Sequence, residues 1–435
     1  MKNIAIGIVL GFVAASASAQ LLPGSVGQIT GGLPLGGLTS GLPLPGGLTG
    51  GPASPIVGEP LTGLGGFVGG VVPDARSLLD LRRARLRTLV RDNIRSLDTD
   101  TDGNPVRRNE LIALDLEPVQ LAAVRAAGFI IVREDNDILV RATVLRPPAG
   151  RSLKRALATL RAALPGAAID YNHVYEPAGA ALQPGGTPRA GSSTGGMIGL
   201  IDGGVAAHPA LAQARIEQRG FAGPVAATGH GTAIASLLVG RAANFTGAAP
   251  GAQLLVGDVY GGSAANGSAE AIARALAWLD ERGVRIVNIS LVGPPNLLIE
   301  RAVANSRKRG TLIVAAVGND GPAAPPLYPA SYDGVVAVTG VDARNRALPE
   351  AGRARHLDFA APGADMAAAL PDRGYALVRG TSFAAPLVAA RLYSSGGLSA
   401  VAAEARPARS GKAGQGIVCG DCRNTDPVLL KKNRR

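Results

Sequence analysis

The 435-residue chain predicts an α/β protein: a buried parallel sheet with helices on both faces, preceded by a small α+β domain with a ferredoxin-like order of elements. Three observations carry that reading. After Gly196, short continuous apolar runs alternate with longer helical stretches, the pattern of strands buried on both sides. Between residues 110 and 174 the alternation is tighter and reads β-α-β-β-α-β. Gly- and Pro-rich stretches at 20–72 and 177–195 set these parts off from their neighbours.

In chain order, Met1-Lys2-Asn3, an apolar run from Ile4 to Ala15 and Ala17-Ser18-Ala19 form a secretory signal peptide over 1–19, cut after Ala19. Residues 20–73 form a low-complexity spacer, with Gly-Gly-Leu-Pro-Leu-Gly-Gly at 31–37 and near-copies after it. Residues 74–97 are Arg-rich with leucines at helical spacing. The following Asp98-Thr99-Asp100-Thr101-Asp102-Gly103 is similar to the opening of a calcium loop, but Asn109 stands where the closing glutamate belongs and Pro105 interrupts, so a polar turn is expected.

Strands are then expected at 111–116, 129–133, 138–145 and 168–173, and helices at 118–127 and 152–164. His173 in this domain reads as structural. Residues 177–195 read as an exposed linker of the kind proteases cut. Beyond it, strands are expected at 197–201, 253–259, 285–289, 312–316 and 335–341, and helices at 231–239, 269–282, 297–309 and 382–393.

Hydrophobic residues make up 46% and charged residues 17% of the chain, which describes a globular core. The net charge is +12, but beyond the tail Lys431-Lys432-Asn433-Arg434-Arg435 no block combines dense basic charge with aromatics, so nucleic acid is not an expected partner. No stretch after the signal is long and apolar enough to span a bilayer, so no transmembrane anchor is expected once the signal is removed, and the location expected is secreted or periplasmic. The two cysteines, Cys419 and Cys422, form a C-x-x-C pair that in an exported chain reads as a local disulfide.

Sheets of this kind gather their active sites at the carboxyl ends of the strands. Asp202 stands there, in Ile201-Asp202-Gly203-Gly204; taken alone, it also suits an Asx turn. His230, one of only four histidines, lies between glycines in Thr228-Gly229-His230-Gly231-Thr232 at a helix start; His208 is its competitor, in an ordinary loop. Asn319 follows a strand in Val317-Gly318-Asn319-Asp320 and has an amide able to donate to an oxyanion. Ser382, in Gly380-Thr381-Ser382-Phe383-Ala384-Ala385-Pro386, is either a helix cap or a nucleophile at a helix N-terminus.

Together the four motifs resemble the signatures of the subtilisin-like serine proteases, the subtilases, in that family's order Asp, His, Asn, Ser, over residues 196–418. The resemblance implies a subtilisin-like sheet, with Ser382 as nucleophile, His230 as general base and Asp202 orienting it. Asn319 and the Ser382 N–H would form the oxyanion hole. Ser290, Leu291, Val292 and Gly293 would pair with substrate backbone, and Ala315, Ala316, Val317 and Gly318 would wall the specificity pocket.

The implied domain plan is a signal (1–19), spacer (20–73), prosegment (74–176), processing linker (177–195), catalytic domain (196–418) and C-terminal segment (419–435). Protein or peptide substrates are the implied partners, with the prosegment as intramolecular inhibitor; the chain does not specify an oligomeric state. No cofactor is required by this chemistry, and a structural calcium stays open because no ligand set is identified. Gly203 departs from the family pattern, where a hydroxylated residue is usual. Two other classes fit less well. A catalytically weak or inactive binding protein on this scaffold would have lost a catalytic group, and an α/β-hydrolase esterase would carry G-x-S-x-G with its serine ahead of the Asp and His.

Overall fold

The structure, a computed structural model, describes residues 74–136, 139–182, 195–371, 374–409 and 411–423. The expected signal peptide, the spacer, residues 183–194 of the linker and the basic tail lie outside these residues.

Helix α1 (Ala75–Asp92) starts at Asp74, whose carboxylate accepts from the N–H groups of Arg76 and Ser77. It leads into β1 (Leu97–Thr99), β2 (Pro105–Leu114), α2 (Pro118–Ala126), β3 (Ile130–Asn136), β4 (Arg141–Arg146), α3 (Leu153–Ala163) and β5 (Ala168–His173). The strands form an antiparallel sheet in the order β3-β4-β2-β5, with β1 pairing the start of β2. This is the order of a ferredoxin-like domain. The acidic segment before β2 is a turn: Asp100 Oδ1 accepts from the N–H groups of Asp102 and Asn104, at 2.8 Å each.

The pleat gives this sheet two different neighbours. Leu111, Ala113 and Leu145 pack with Val124 of α2 and with Leu157 and Leu160 of α3. Ile112, Leu114 and Ala142 face the other way, into the core that also contains Ala273, Leu298 and Ala302 of the following domain.

Two short strands come next, β6 (Glu176–Pro177) and β7 (Ala180–Leu182). The large domain then comprises β8 (Met197–Asp202), β9 (Arg215–Gly220), α4 (Gly229–Val239), a small pair β10 (Arg241–Ala242) and β11 (Phe245–Thr246), β12 (Gln253–Asp258) and α5 (Ala269–Glu281). It continues with β13 (Ile286–Ile289), β14 (Leu291–Val292), α6 (Leu297–Lys308), β15 (Leu312–Ala316), β16 (Val336–Val341) and β17 (Phe359–Pro362). The hairpin β18 (Met366–Leu370) and β19 (Gly374–Arg379) precedes α7 (Thr381–Ser395) and α8 (Leu398–Glu404).

Seven of these strands form one parallel sheet in the order β17-β16-β15-β13-β8-β12-β9. Alternate residues serve opposite faces. Ile198, Leu200, Leu254, Val256, Val314 and Ala316 pack with α4 and α7, whereas Ile201, Leu255, Ile313 and Ala315 pack with α5 and α6. The sheet therefore has helices on both faces, as its apolar strands predict.

The expected elements are present with ends shifted by a few residues, but several strands were not expected from sequence, among them β1, the pair β10 and β11, and β17 of the main sheet. Strand β9, Arg-Ile-Glu-Gln-Arg-Gly, is a polar edge strand and lacks an apolar run. Strands β18 and β19 are rich in alanine or mixed, and they hold together by pairing with each other and with β7. Strand β6 is only two residues long and pairs with β14, which lies within the residues 290–293 expected to pair with substrate backbone. The pairing of β6 and β7 also departs from the reading of residues 177–195 as an exposed linker: Pro177 and Ala180–Leu182 lie in ladders with the large domain, and Ala178 between them is 3% exposed.

Candidate active site

Strands β8 and β12 end side by side, with Asp202 in register with Asp258, and both carboxylates are fully buried. Asp202 accepts from the Gly203 N–H at 2.8 Å, and His230 Nδ1 stands 2.9 Å from each of its carboxylate oxygens. Since a carboxylate only accepts, the Nδ1–H donates, and in the neutral ring Nε2 carries the lone pair. Among the described residues His230 Nε2 is buried without a hydrogen-bond partner.

The position of His230 comes from the start of α4. Thr228 caps that helix, its Oγ1 accepting from the Gly231 N–H at 3.0 Å. The same side chain accounts for Gly203, because a Cβ there would lie 2.3 Å from Thr228 Oγ1. Asp258 holds the loop before α4, accepting from the Ala226 N–H at 2.8 Å and from the N–H groups of Tyr260 and Gly261. Neither role was read from sequence, although Asp258 carries the same signal as Asp202, an acid ending an apolar strand.

Ser382 is the second residue of α7, behind Gly380 at φ 138°. A Cβ at 380 would come within 2.9 Å of Asn319 Nδ2 and of Gly179 Cα, so only glycine fits this approach. Thr381 ties the helix start to the β15 loop: its N–H donates to Asn319 Oδ1 at 2.9 Å, and its Oγ1 accepts from the Gly318 N–H at 3.1 Å. With Oδ1 occupied, the Asn319 amide N–H₂ points away, into the same space as the Ser382 N–H.

That space holds a carbonyl of the chain itself. Ala178 O accepts from the Ser382 N–H at 3.0 Å, from Asn319 Nδ2 at 2.5 Å and from the Ser382 hydroxyl. The Ser382 hydroxyl also lies 3.1 Å from Ser290 O, and Ser290 Oγ in turn donates to Ser382 O at 2.9 Å while accepting from Asn288 Nδ2. Ser382 and His230 are not hydrogen-bonded to each other in this arrangement. The Phe383 ring, next to the serine, stands 5.6 Å from the His230 ring.

The remaining site residues divide between side chain and backbone. Ser290 O accepts from the Ala178 N–H at 3.0 Å; Leu291 and Val292 form the β14 ladder with Pro177 and Glu176; and Gly293 pairs with Tyr328. Val292, Ala316, Leu327 and Phe383 share an apolar cluster with Ala178. Ala315 and Val317 pack into the opposite cluster, so their side chains do not wall the space around Ala178. Gly318 has φ 91°, and a Cβ there would lie 2.6 Å from Leu327. His208 is occupied elsewhere: its Nε2 meets Gly374 O and its Nδ1 accepts from the Ala210 N–H. Cys419 and Cys422 have their Cα atoms 5.2 Å apart and their sulfurs joined; with Asp421 they are the one group of three metal-ligating side chains among the described residues.

Residues 193–393 match the model of the subtilase family. The chain is 34% identical over 208 residues to Subtilisin Savinase of Lederbergia lenta, covering 46% of this chain and 75% of that protein. It is 33% identical over 218 residues to thermitase of Thermoactinomyces vulgaris, covering 48% and 77%. The crystal structure of fervidolysin from Fervidobacterium pennivorans, a keratinolytic enzyme related to subtilisin, superimposes with a TM-score of 0.64 at 17% identity, over 76% of this chain and 62% of that one, a likeness of fold. The chain belongs to the subtilase family of serine endopeptidases.

Proposed function

We propose that this chain is the precursor of an exported endopeptidase that hydrolyses peptide bonds through an acyl-enzyme on Ser382, with residues 74–176 as its prosegment and 196–418 as its catalytic domain. One observation carries the reading: two N–H donors, from Asn319 and Ser382, converge on a single peptide carbonyl against which the Ser382 hydroxyl lies. That is the geometry that stabilises a tetrahedral oxyanion.

In the reaction the Ser382 Oγ lone pair forms a bond to the carbonyl carbon, and the hydroxyl proton passes to His230 Nε2. The π electrons move onto the oxygen, where Asn319 Nδ2 and the Ser382 N–H bind it. Collapse breaks the C–N bond, and the proton on Nε2 goes to the departing amine. Water then attacks the ester by the reverse proton route and returns Ser382. Asp202 keeps the Nδ1–H in place and offsets the charge of the imidazolium. In the ground state the Ser382 hydroxyl meets Ala178 O and Ser290 O, so it has to turn towards His230 Nε2 before the proton is transferred.

The sequence of residues 1–19 supports export, and the bridged Cys419–Cys422 pair suits an oxidising compartment. No described helix is long and apolar enough to cross a membrane. The prosegment reading rests on the N-terminal domain sharing a core with the large domain and delivering its own chain to Ser382.

The test is twofold. Wild-type precursor shortens on purification while Ser382→Ala stays full length, and a fluorophosphonate probe labels Ser382 but not the His230→Ala variant. Equal lengths would remove self-processing. Unlabelled wild type would favour the non-catalytic binding protein.

A further inference from the structure

We propose that the bond cut in self-processing is Ala178–Gly179, and that Arg85 of α1 provides a subsite for the glutamate two residues before Ala178, one that only the uncut chain possesses. This rests on the self-processing reading above and goes beyond it in naming the bond and the residue that helps seat it.

The chain around residue 178 lies in the cleft as a substrate does. On the amino side, Glu176 and Pro177 pair antiparallel with Val292 and Leu291, and the Ala178 N–H donates to Ser290 O at 3.0 Å. Ala178 O occupies the oxyanion site. On the carboxyl side, Ala180, Ala181 and Leu182 pair with Arg379, Val378 and Leu377 of β19. Gly179, between the two ladders, has no room for a side chain: a Cβ would lie 2.7 Å from the Phe383 ring and 3.2 Å from Ser382 Cβ. Upstream, Tyr175 is fully buried, its hydroxyl donating to Pro294 O at 2.8 Å, its N–H donating to Gly267 O and its ring against Gly293. The peptide is therefore gripped on both sides of one bond.

Glu176 is held differently from its neighbours. Its carboxylate takes two hydrogen bonds from Arg85, Nε at 3.3 Å and Nη2 at 3.2 Å, and Arg85 Nη2 also donates to Asp320 at 3.0 Å. Arg82 adds a contact to the other oxygen of Asp320 at 3.0 Å. Asp320 adjoins Asn319, so α1 is latched beside the oxyanion site and hands a cation to Glu176. Such bidentate, charge-assisted pairs are the stronger kind of hydrogen bond. A cut after Ala178 places Arg85 and Glu176 on the same departing fragment. The processed enzyme keeps Asp320 and loses the cation, so a peptide cut in trans finds no partner for glutamate at this position.

In bond terms, the Ala178 C–Gly179 N bond breaks by the steps given above, with one water consumed. It leaves a carboxylate on Ala178 and an amine on Gly179.

The experiment follows purified full-length precursor by intact mass and N-terminal sequencing. It is expected to give a Ser382-dependent fragment ending at Ala178 and another beginning at Gly179. Ser382-dependent cutting at a different bond overturns the assignment and leaves self-processing standing; no Ser382-dependent cutting removes both.

For the subsite, Arg85→Ala and Glu176→Gln are each expected to slow processing about tenfold, and the double variant no further than either alone. Processing of both single variants at the wild-type rate overturns the role of Arg85. Processed enzyme from the Arg85→Ala precursor has the wild-type sequence and should turn over peptides identically, a control for folding. Finally, peptides containing Tyr-Glu-Pro-Ala-Gly or Tyr-Gln-Pro-Ala-Gly are expected to be cut by processed wild-type enzyme at rates within about twofold. A tenfold preference for glutamate there would overturn the claim that the subsite is confined to the precursor.

Discussion

Two buried aspartate–histidine pairs stand in this molecule, His230 with Asp202 and His173 with Asp100, and they differ at the far nitrogen of each ring. In the N-terminal domain, His173 Nε2 meets Asp100 at 3.2 Å while Nδ1 accepts from Asn296 Nδ2 at 3.0 Å. Asn296 also caps α6 and donates to Tyr171 O, so this ring is a rivet between the domains, with both nitrogens engaged. His230 has the same acid on one side and, among the described residues, no partner on the other. An Asp–His pair is thus not itself a catalytic device; the proposed catalytic role of His230 rests on the ring nitrogen that the fold leaves open.

The comparison can be broken in order of expected effect. Asp202→Asn should lower kcat of the processed enzyme by about 10³- to 10⁴-fold with its fold retained, since the amide no longer holds the ring in the required tautomer. Steady-state turnover and a thermal melt check this, and turnover within tenfold of wild type would refute the orienting role. Asn319→Ala should cost about 10² to 10³ in kcat with KM little changed. A change confined to KM would place Asn319 in binding alone.

Asp100→Asn should leave the processed enzyme untouched and destabilise the precursor. Burial raises the Asp100 pKa, but hydrogen bonds from His173, from the Asn104 side chain and from the N–H groups of Asn104 and Asp102 outweigh it and bring it from 3.8 to about 2. A depressed carboxyl stabilises the fold above its unfolded value and loses that contribution as pH falls towards the folded one. The stabilisation is about 1–2 kcal/mol after solvent screening, lost between pH 3.8 and about 2. Acid titrations of precursor and variant should diverge above this window and converge below it. Identical midpoints at neutral pH would count against the rivet. Smallest, Thr228→Ala should cost about 1 kcal/mol through the lost cap, measured by denaturant midpoint.

Much of this was legible in sequence, and the failures have physical causes. The four motif residues could be read because each has glycine within two positions: Gly380 and Gly318 have a positive φ, Gly203 makes room for the Thr228 side chain, and Gly231 lies against the Gly203 carbonyl. The parallel sheet was legible because strands buried on both sides must be apolar throughout. The ladders around residues 176–182 were not, since Gly-, Ala- and Pro-rich segments carry no strand propensity and form only against β14 and β19. Asp258 escaped notice because its partners are backbone N–H groups of a loop whose fold sequence does not disclose. The Arg85 latch joins positions 85, 176 and 320, and no local pattern links residues so far apart.

The shared core between the two domains sets a clock. Ile112, Leu114, Leu139, Val140 and Ala142 are buried with α5 and α6, and each of the four larger side chains contributes about 1.5–3 kcal/mol. Hydrolysing one peptide bond removes none of that. If the chain cuts itself as proposed, the product is a two-piece complex whose cleft is still plugged, and the onset of activity towards other proteins would be timed by dissociation of the plug rather than by the first turnover.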